Sequence, residues 1–264
     1  MPDQVPYQVP YKVEARNFSE ASENRIHSDD AAQRLGFRGA LVPGVAVYGH
    51  LTWPLTERYG EHWLSRSQVS VRFMKPAYHG DRLTIELEEQ DDVAIATCTN
   101  EQGERLAELK LDRSQAPFTD TRELMSALPV DPERVPLNWD AITLNRPFDP
   151  WLWEITPTIN ETFASQVADE HALYTKLAHP HGLLSTANTA LVRQFEMPAW
   201  IHVGSEISHL QPVHVNDHLT VQAAPIERWE RKGHEFVKLM VQYNRGDDIV
   251  TQIHHTAIFK IAGA

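Results

Sequence analysis

Two stretches, Lys75-Pro76-Ala77-Tyr78-His79-Gly80-Asp81-Arg82-Leu83-Thr84-Ile85 and Gln211-Pro212-Val213-His214-Val215-Asn216-Asp217-His218-Leu219-Thr220-Val221, align without a gap and share Pro, Asp, Leu and Thr. They lie 136 residues apart in a chain of 264. Such internal self-similarity marks a duplicated structural unit and divides the chain into two halves of one design. Around each copy the apolar residues alternate. Val69-Ser70-Val71-Arg72-Phe73 and Val203-Gly204-Ser205-Glu206-Ile207 precede it, and Leu83-Thr84-Ile85-Glu86-Leu87 and Leu219-Thr220-Val221-Gln222-Ala223 follow it. A period of two broken by a Pro/Asp turn predicts strand, turn, strand in both halves.

Outward from the repeat, each half continues as an antiparallel meander. Val93 to Cys98 and Arg105 to Leu111 flank an Asn100-Glu101-Gln102-Gly103 turn; Phe236 to Tyr243 and Val250 to Ile261 flank Arg245-Gly246-Asp247-Asp248. Upstream of each sheet stands a segment of helical length opened by glycine, Gly44 to Tyr59 and Gly182 to Phe195, apolar enough to be buried. Pro54 is expected to kink or interrupt the first. Each half thus reads as a long helix with an antiparallel sheet able to wrap it, an α+β arrangement. The halves are assigned to residues 1–112 and 150–264. Between them, 113–149 carries Pro117, Pro129, Pro132, Pro136 and Pro147 and reads as a crossing linker whose apolar residues pack it down. The tandem Gln4-Val5-Pro6-Tyr7-Gln8-Val9-Pro10-Tyr11 reads as a polyproline-like lead-in along the surface.

Composition narrows the function classes. With 42% hydrophobic residues the chain can fill a core, which excludes a disordered protein. Lys+Arg 24 against Asp+Glu 36 gives a net charge of −12, which disfavours nucleic acid or an anionic lipid surface as partner. The single cysteine, Cys98, permits no intramolecular disulfide and no cysteine-based zinc site. Neither a signal-peptide pattern nor an apolar run of about 18 residues occurs, so a soluble, cytoplasmic chain is expected.

The chemistry concentrates in Phe18-Ser19-Glu20-Ala21-Ser22-Glu23-Asn24-Arg25-Ile26-His27-Ser28-Asp29-Asp30-Ala31-Ala32 and the following Leu35-Gly36-Phe37-Arg38-Gly39-Ala40-Leu41-Val42-Pro43-Gly44. Ser28 or Asp29 can cap a short helix ending at Gly36, which places His27 on the loop just ahead of it. Gly36 and Gly39 supply turns, and Gly44 opens the long helix, where free backbone N–H groups face an incoming carbonyl oxygen.

These residues resemble the MaoC-like hydratases and dehydratases of the hotdog fold, which include the (R)-specific enoyl-CoA hydratases. That family carries Asp-x-Asn-Pro-x-His, a short helix, Gly-Phe-x-Gly and a glycine opening the hotdog helix. Here the loop reads Ser22-Glu23-Asn24-Arg25-Ile26-His27, followed in order by Gly36-Phe37-Arg38-Gly39 and Gly44. The resemblance covers the first half directly and, through the repeat, implies a double hotdog. It implies an acyl thioester of coenzyme A or acyl carrier protein as partner, no cofactor, and an oligomer of double hotdogs. His27 is then the acid/base, Asn24 the loop asparagine, and Gly44 the donor that polarises the thioester carbonyl. Ser22 stands where the family has aspartate, and Arg25 where it has proline. A serine hydroxyl holds a water but shares no proton near neutral pH, and the adjacent Glu23 is the candidate substitute carboxylate. Arg38, Arg72 and Lys75 are candidates for the phosphates of coenzyme A, with Val45 beside them as a substrate-binding residue. Hydration or dehydration of an acyl thioester is the leading expectation. Thioester hydrolysis and a non-catalytic acyl-binding scaffold are the alternatives, the latter because of Ser22.

Other candidates carry less. Asp169-Glu170-His171 and His179-Pro180-His181-Gly182 suggest a metal, but no third ligand has a defined spacing and the chain has 14 histidines, so structural or surface roles are assigned. From Phe163 to Gly182 are 19 positions, against 26 from Phe18 to Gly44, so the second half is expected to lack the full loop. His254-His255 on an alternating strand must point to opposite faces. Trp151 and Trp153 are expected to bury or edge the sheet, with an acyl-tunnel lining role as the alternative. No Gly-x-Ser-x-Gly, Gly-x-Gly-x-x-Gly or Walker sequence occurs.

Overall fold

The computed structural model describes residues 10–120, 124 and 131–262. Residues 4–9 of the tandem lead-in and Pro129 of the linker lie outside the described residues. The first half holds β1 (Tyr11–Glu14), α1 (Asp29–Arg34), α2 (Gly44–Tyr59), α3 (His62–Ser65), β2 (Ser67–Phe73), β3 (Arg82–Gln90), β4 (Val93–Thr99) and β5 (Arg105–Asp112). After β6 (Val135–Pro136) come β7 (Trp151–Glu154), α4 (Pro157–Gln166), α5 (Pro180–Gln194), β8 (Phe195–Glu196), β9 (Ile201–His209), β10 (His218–Arg231), β11 (His234–Arg245) and β12 (Asp248–Lys260).

Ten strands form one sheet in the order β1-β3-β4-β5-β2-β9-β12-β11-β10-β7, so the second half repeats the first in mirror order about the β2–β9 seam. The seam is antiparallel, with Val69 opposite Ile207, Ser70 opposite Glu206 and Val71 opposite Ser205. Adding the repeat spacing of 136 to Ser70 gives Glu206, its own partner; Val69 and Val71 face each other's counterparts. The contact is therefore isologous, the geometry of a two-fold dimer built into one chain. This is the double hotdog.

Helix α2 is buried almost all round, from Val45 to Thr52 and again from Pro54 to Thr56, because apolar residues occupy every face. It packs on β3, β4 and β5 and against α5, and one hydrophobic core runs through both halves, from Leu51 and Leu55 to Leu184 and Leu191. Pro54 does not interrupt α2 as expected; the chain stays helical to Tyr59. The second core helix begins at Pro180, two residues before the expected Gly182. Proline at the first helical turn lacks only an N–H that would be unsatisfied there, and the His179 ring caps the helix by accepting from His181 N at 3.1 Å.

Two matched contacts set the true alignment of the halves. Leu41 bridges Tyr78 as Leu177 bridges His214, and Ala15 N donates to Asp81 O as Ile155 N donates to Asp217 O. Gly44 therefore corresponds to Pro180. The loop from Ile155 to Leu177 is four residues shorter than that from Ala15 to Leu41, a smaller deficit than the count to Gly182 suggests. The described linker residues from Val135 to Ile142 are packed against the second half. Val135 and Pro136 pair with Phe195 and Glu196, and the Arg228 guanidinium donates to the carbonyls of Trp139 and Ile142.

Candidate functional site

The loop ahead of α1 is held by one amide. Asn24 Oδ1 accepts from Trp200 N at 3.1 Å and from Ile26 N at 3.4 Å, while Nδ2 donates to Trp200 O at 3.0 Å. Trp200 offers one donor and one acceptor, so its backbone fixes which end of the Asn24 amide is which. Arg25 N adds a bond to Pro198 O at 2.9 Å. The first half's loop is thereby stitched to the segment that leads into β9 of the second half.

His27 closes the 3-10 turn that Asn24 caps. Its Nδ1 donates to Leu41 O at 2.7 Å, and since a carbonyl only accepts, the neutral ring carries its proton there and leaves Nε2 with a lone pair. Asn24 Nδ2 lies 3.4 Å from that nitrogen. Burial pushes the His27 pKa below the ordinary histidine value, and the Leu41 carbonyl offsets part of the effect. The group is thus a neutral base at pH 7. Next to it, Pro43 O accepts from Ala46 N and Val47 N, whereas the N–H groups of Gly44 and Val45 take no acceptor among the described residues. The positive end of α2 is open at this point.

Two cavities meet at His27. The smaller, of ≈ 210 Å³, is walled by Val42, Gly44, Val47, Phe73, Ile201 and His202. The larger and more open, of ≈ 730 Å³, is walled by Ser22, Glu23, Val45, Arg134, Trp151 and Ser185. Asn24, His27, Pro43, Asn188 and Trp200 line both and form the partition between them. An elongated ligand passing from one to the other crosses the imidazole and the start of α2 together.

The remaining loop residues are placed as follows. Ser22 Oγ donates to Asn24 O at 3.3 Å and lines the larger cavity. Glu23 lines it too, but its carboxylate is engaged by Arg134, which donates through Nη1 at 3.0 Å and Nη2 at 2.6 Å. The Arg134 guanidinium holds the Glu23 carboxyl below the usual carboxylate range. Glu23 therefore faces His27's cavity without hydrogen-bonding the imidazole. Of the expected phosphate-binding cations, Lys75 lines the smaller cavity and pairs with Glu104 at 2.5 Å. Arg38 pairs with Asp81 and lies 4.0 Å over the Tyr78 ring, and Arg72 is exposed on β2; neither lines the cavities that His27 lines. Val45 and Trp151 line the larger cavity, while Trp153 packs edge-on against Tyr243.

Sequence reasoning missed Arg134, Asn188, Trp200 and His202. One signal was available, since Ser185, Asn188, Thr189 and Val192 are spaced for one helical face and all line the larger cavity. In the second half, Asn160 Nδ2 donates to Leu177 O at 2.9 Å, the carbonyl that corresponds to Leu41 O. An amide that cannot titrate thus occupies the carbonyl that His27 uses in the first half. His179 and Asp169 pair at 3.2 Å with exposures of 0% and 1% and belong to the core, whereas Glu170 is exposed and His171 half-buried. His255 is buried, while His254 is half-buried beside Glu206 and Asp120.

No family model and no curated protein matches the chain. Solved structures do. A protein described as a MaoC domain dehydratase from Chloroflexus aurantiacus is 13% identical with a TM-score of 0.63, covering 97% of both chains. A MaoC-like dehydratase is 11% identical with a TM-score of 0.59 over 95% of both. A conserved Mycobacterium tuberculosis protein described as a double hotdog is 13% identical with a TM-score of 0.54, over 94% of this chain and 96% of that one. At these identities the likeness establishes the fold. Among the described residues no helix is long and apolar enough to cross a membrane.

Proposed function

We propose that the protein adds water to, or removes it from, an acyl thioester carried by coenzyme A or acyl carrier protein, with His27 as the acid/base. The observation that carries this reading is the unprotonated Nε2 of His27, fixed by the Leu41 carbonyl, on the cavity wall that also holds the open N-terminus of α2. In the hydration direction, the thioester oxygen accepts from Gly44 N–H, which draws electrons from the double bond and makes the β-carbon electrophilic. His27 Nε2 takes a proton from water as its oxygen bonds to that carbon. The π electrons move to the enolate, and the imidazolium returns the proton to the α-carbon. No carboxylate takes part, because Ser22 supplies only a hydroxyl and Glu23 is held by Arg134.

Crotonyl-CoA provides the test through its enone absorbance. The wild type is expected to bleach it, and His27→Ala to lose about 10²–10⁴-fold in rate. An unchanged rate in that variant removes His27 from the mechanism. Among the described residues no carboxylate hydrogen-bonds the imidazole, and this favours one second reading, a protein that binds acyl thioesters without converting them. It is identified by binding of crotonyl-CoA with neither bleaching nor thiol release, whereas thiol release alone identifies hydrolysis.

A further inference from the structure

Among the described residues, three polar side-chain atoms of residues that line the smaller cavity are buried without a partner: Asn188 Oδ1, Trp200 Nε1 and His202 Nδ1. An unpaired buried polar group is costly, and three around one cavity mark places where a ligand's polar atoms complete the bonding. His202 is the best defined of them. It is 7% exposed, on β9 of the second half, and its Nδ1 lies 3.5 Å from where a Cβ on Gly44 would sit. That is the mouth of α2, where Gly44 N–H has no acceptor among the described residues.

The ring is held on its other sides. Nε2 is 2.9 Å from Ser205 Oγ, which is 3.1 Å from His255 Nδ1. The His255 ring lies against it at 4.1 Å between centroids, and Phe73 meets it edge-on at 4.8 Å. A buried imidazole held on three sides, with its last nitrogen beside the first residue of α2, is a pre-oriented hydrogen-bonding group.

We propose that His202 Nδ1 and Gly44 N–H together hold the thioester carbonyl oxygen, so that the second half supplies one donor of the first half's site. The inference rests on the acyl-thioester reading above and adds a residue to it. It requires the tautomer in which Ser205 Oγ–H donates to His202 Nε2 and accepts from His255 Nδ1–H, leaving the His202 proton on Nδ1. One hydroxyl between two neutral rings permits this arrangement, since it donates once and accepts once. Burial, reinforced by the neighbouring His255 and offset in part by the Gly204 backbone, keeps the His202 imidazole well below the ordinary histidine pKa. A neutral imidazole is a competent electrophile toward a carbonyl.

The test uses butyryl-CoA labelled with ¹³C at the thioester carbonyl, which binds without turnover, and isotope-edited infrared difference spectroscopy. On the wild type the carbonyl stretch is expected to move to lower wavenumber. In His202→Leu, checked for folding by its thermal melt, most of that shift is expected to disappear with the ligand still bound, and crotonyl-CoA hydration to fall about 10²-fold. If His202→Leu does not fold, His202→Asn and Ser205→Ala carry the test. The first retains an N–H and is expected to keep the larger part of the shift; the second keeps the ring but frees its tautomer and is expected to lose part of it. An equal shift in the wild type and in His202→Leu, or in the wild type and in both replacement variants, overturns the inference and leaves the hydratase reading standing. Binding by the wild type with no shift overturns the inference and the role of Gly44. A wild type that does not bind butyryl-CoA overturns both.

Discussion

Asn24 carries two tasks with one amide, pinning Trp200 through both of its backbone groups and placing an N–H near the His27 base. Asn24→Ala leaves the buried N–H and C=O of Trp200 without these partners, which costs about 1–3 kcal/mol for such groups. Urea unfolding is expected to show a lower midpoint at an unchanged slope, and a variant as stable as wild type shows that water replaces the amide. Glu23 calls for the opposite outcome. Its carboxylate is spent on Arg134, so Glu23→Gln is expected to hydrate crotonyl-CoA within a few-fold of the wild-type rate, and a loss of about 10²-fold or more would assign it the missing aspartate's role. Asn24, His27 and Gly44 were legible because they sit on one stretch of chain with turn and cap residues in order. The placement of His202 beside Gly44 was not, because the two are 158 residues apart and nothing in the alternation of β9 distinguishes a histidine at a cavity wall from one that fills a core.

At the level of elements the seam strand is the most constrained. A Cβ on Gly204 would stand 2.8 Å from the backbone oxygen of Val71, and a main-chain atom held in the seam ladder cannot move aside as a side chain can. Gly204→Ala is therefore expected to destabilise by about 1–3 kcal/mol, the range for overpacked sites, and to loosen the junction between halves. Thermal unfolding checks this; an unchanged melting temperature means that the two strands can part locally at no cost. Gly49 is closed off as tightly, by both methyls of the buried Val167 and by His181 Cβ. The equivalence of Ser70 and Glu206 was legible from the repeat spacing, but their pairing across the seam was not, because equivalence of two strands does not say that they adjoin. The start of α5 was misplaced because glycine was used as the marker on the pattern of α2, whereas the second half opens its helix with a proline and a histidine cap.

Across the whole molecule, the two halves close around histidines that stay neutral when folded. Burial lowers His50 and His209 to about 4 and His181 and His255 to about 3, against about 6.5 in an unfolded chain. Below pH 6.5 the unfolded chain takes up a proton at each of these positions while the folded protein does not. Stability is thus full above that pH and is lost as pH falls toward 4, at up to about 1.4 kcal/mol per pH unit for each group. Carboxylates titrate mainly below this range, so melting temperatures at pH 7.5, 6.5 and 5.5 isolate the histidine contribution. His209 allows the effect to be assigned, because its ring packs edge-on against Trp63 at 5.5 Å and its Nε2 has no partner. His209→Leu removes one such group, and the fall in melting temperature from pH 7.5 to 5.5 is expected to shrink by that group's share. A melting temperature flat over this range means instead that the buried rings accept protons in the folded state, which opens the core to water at the pH where it is observed.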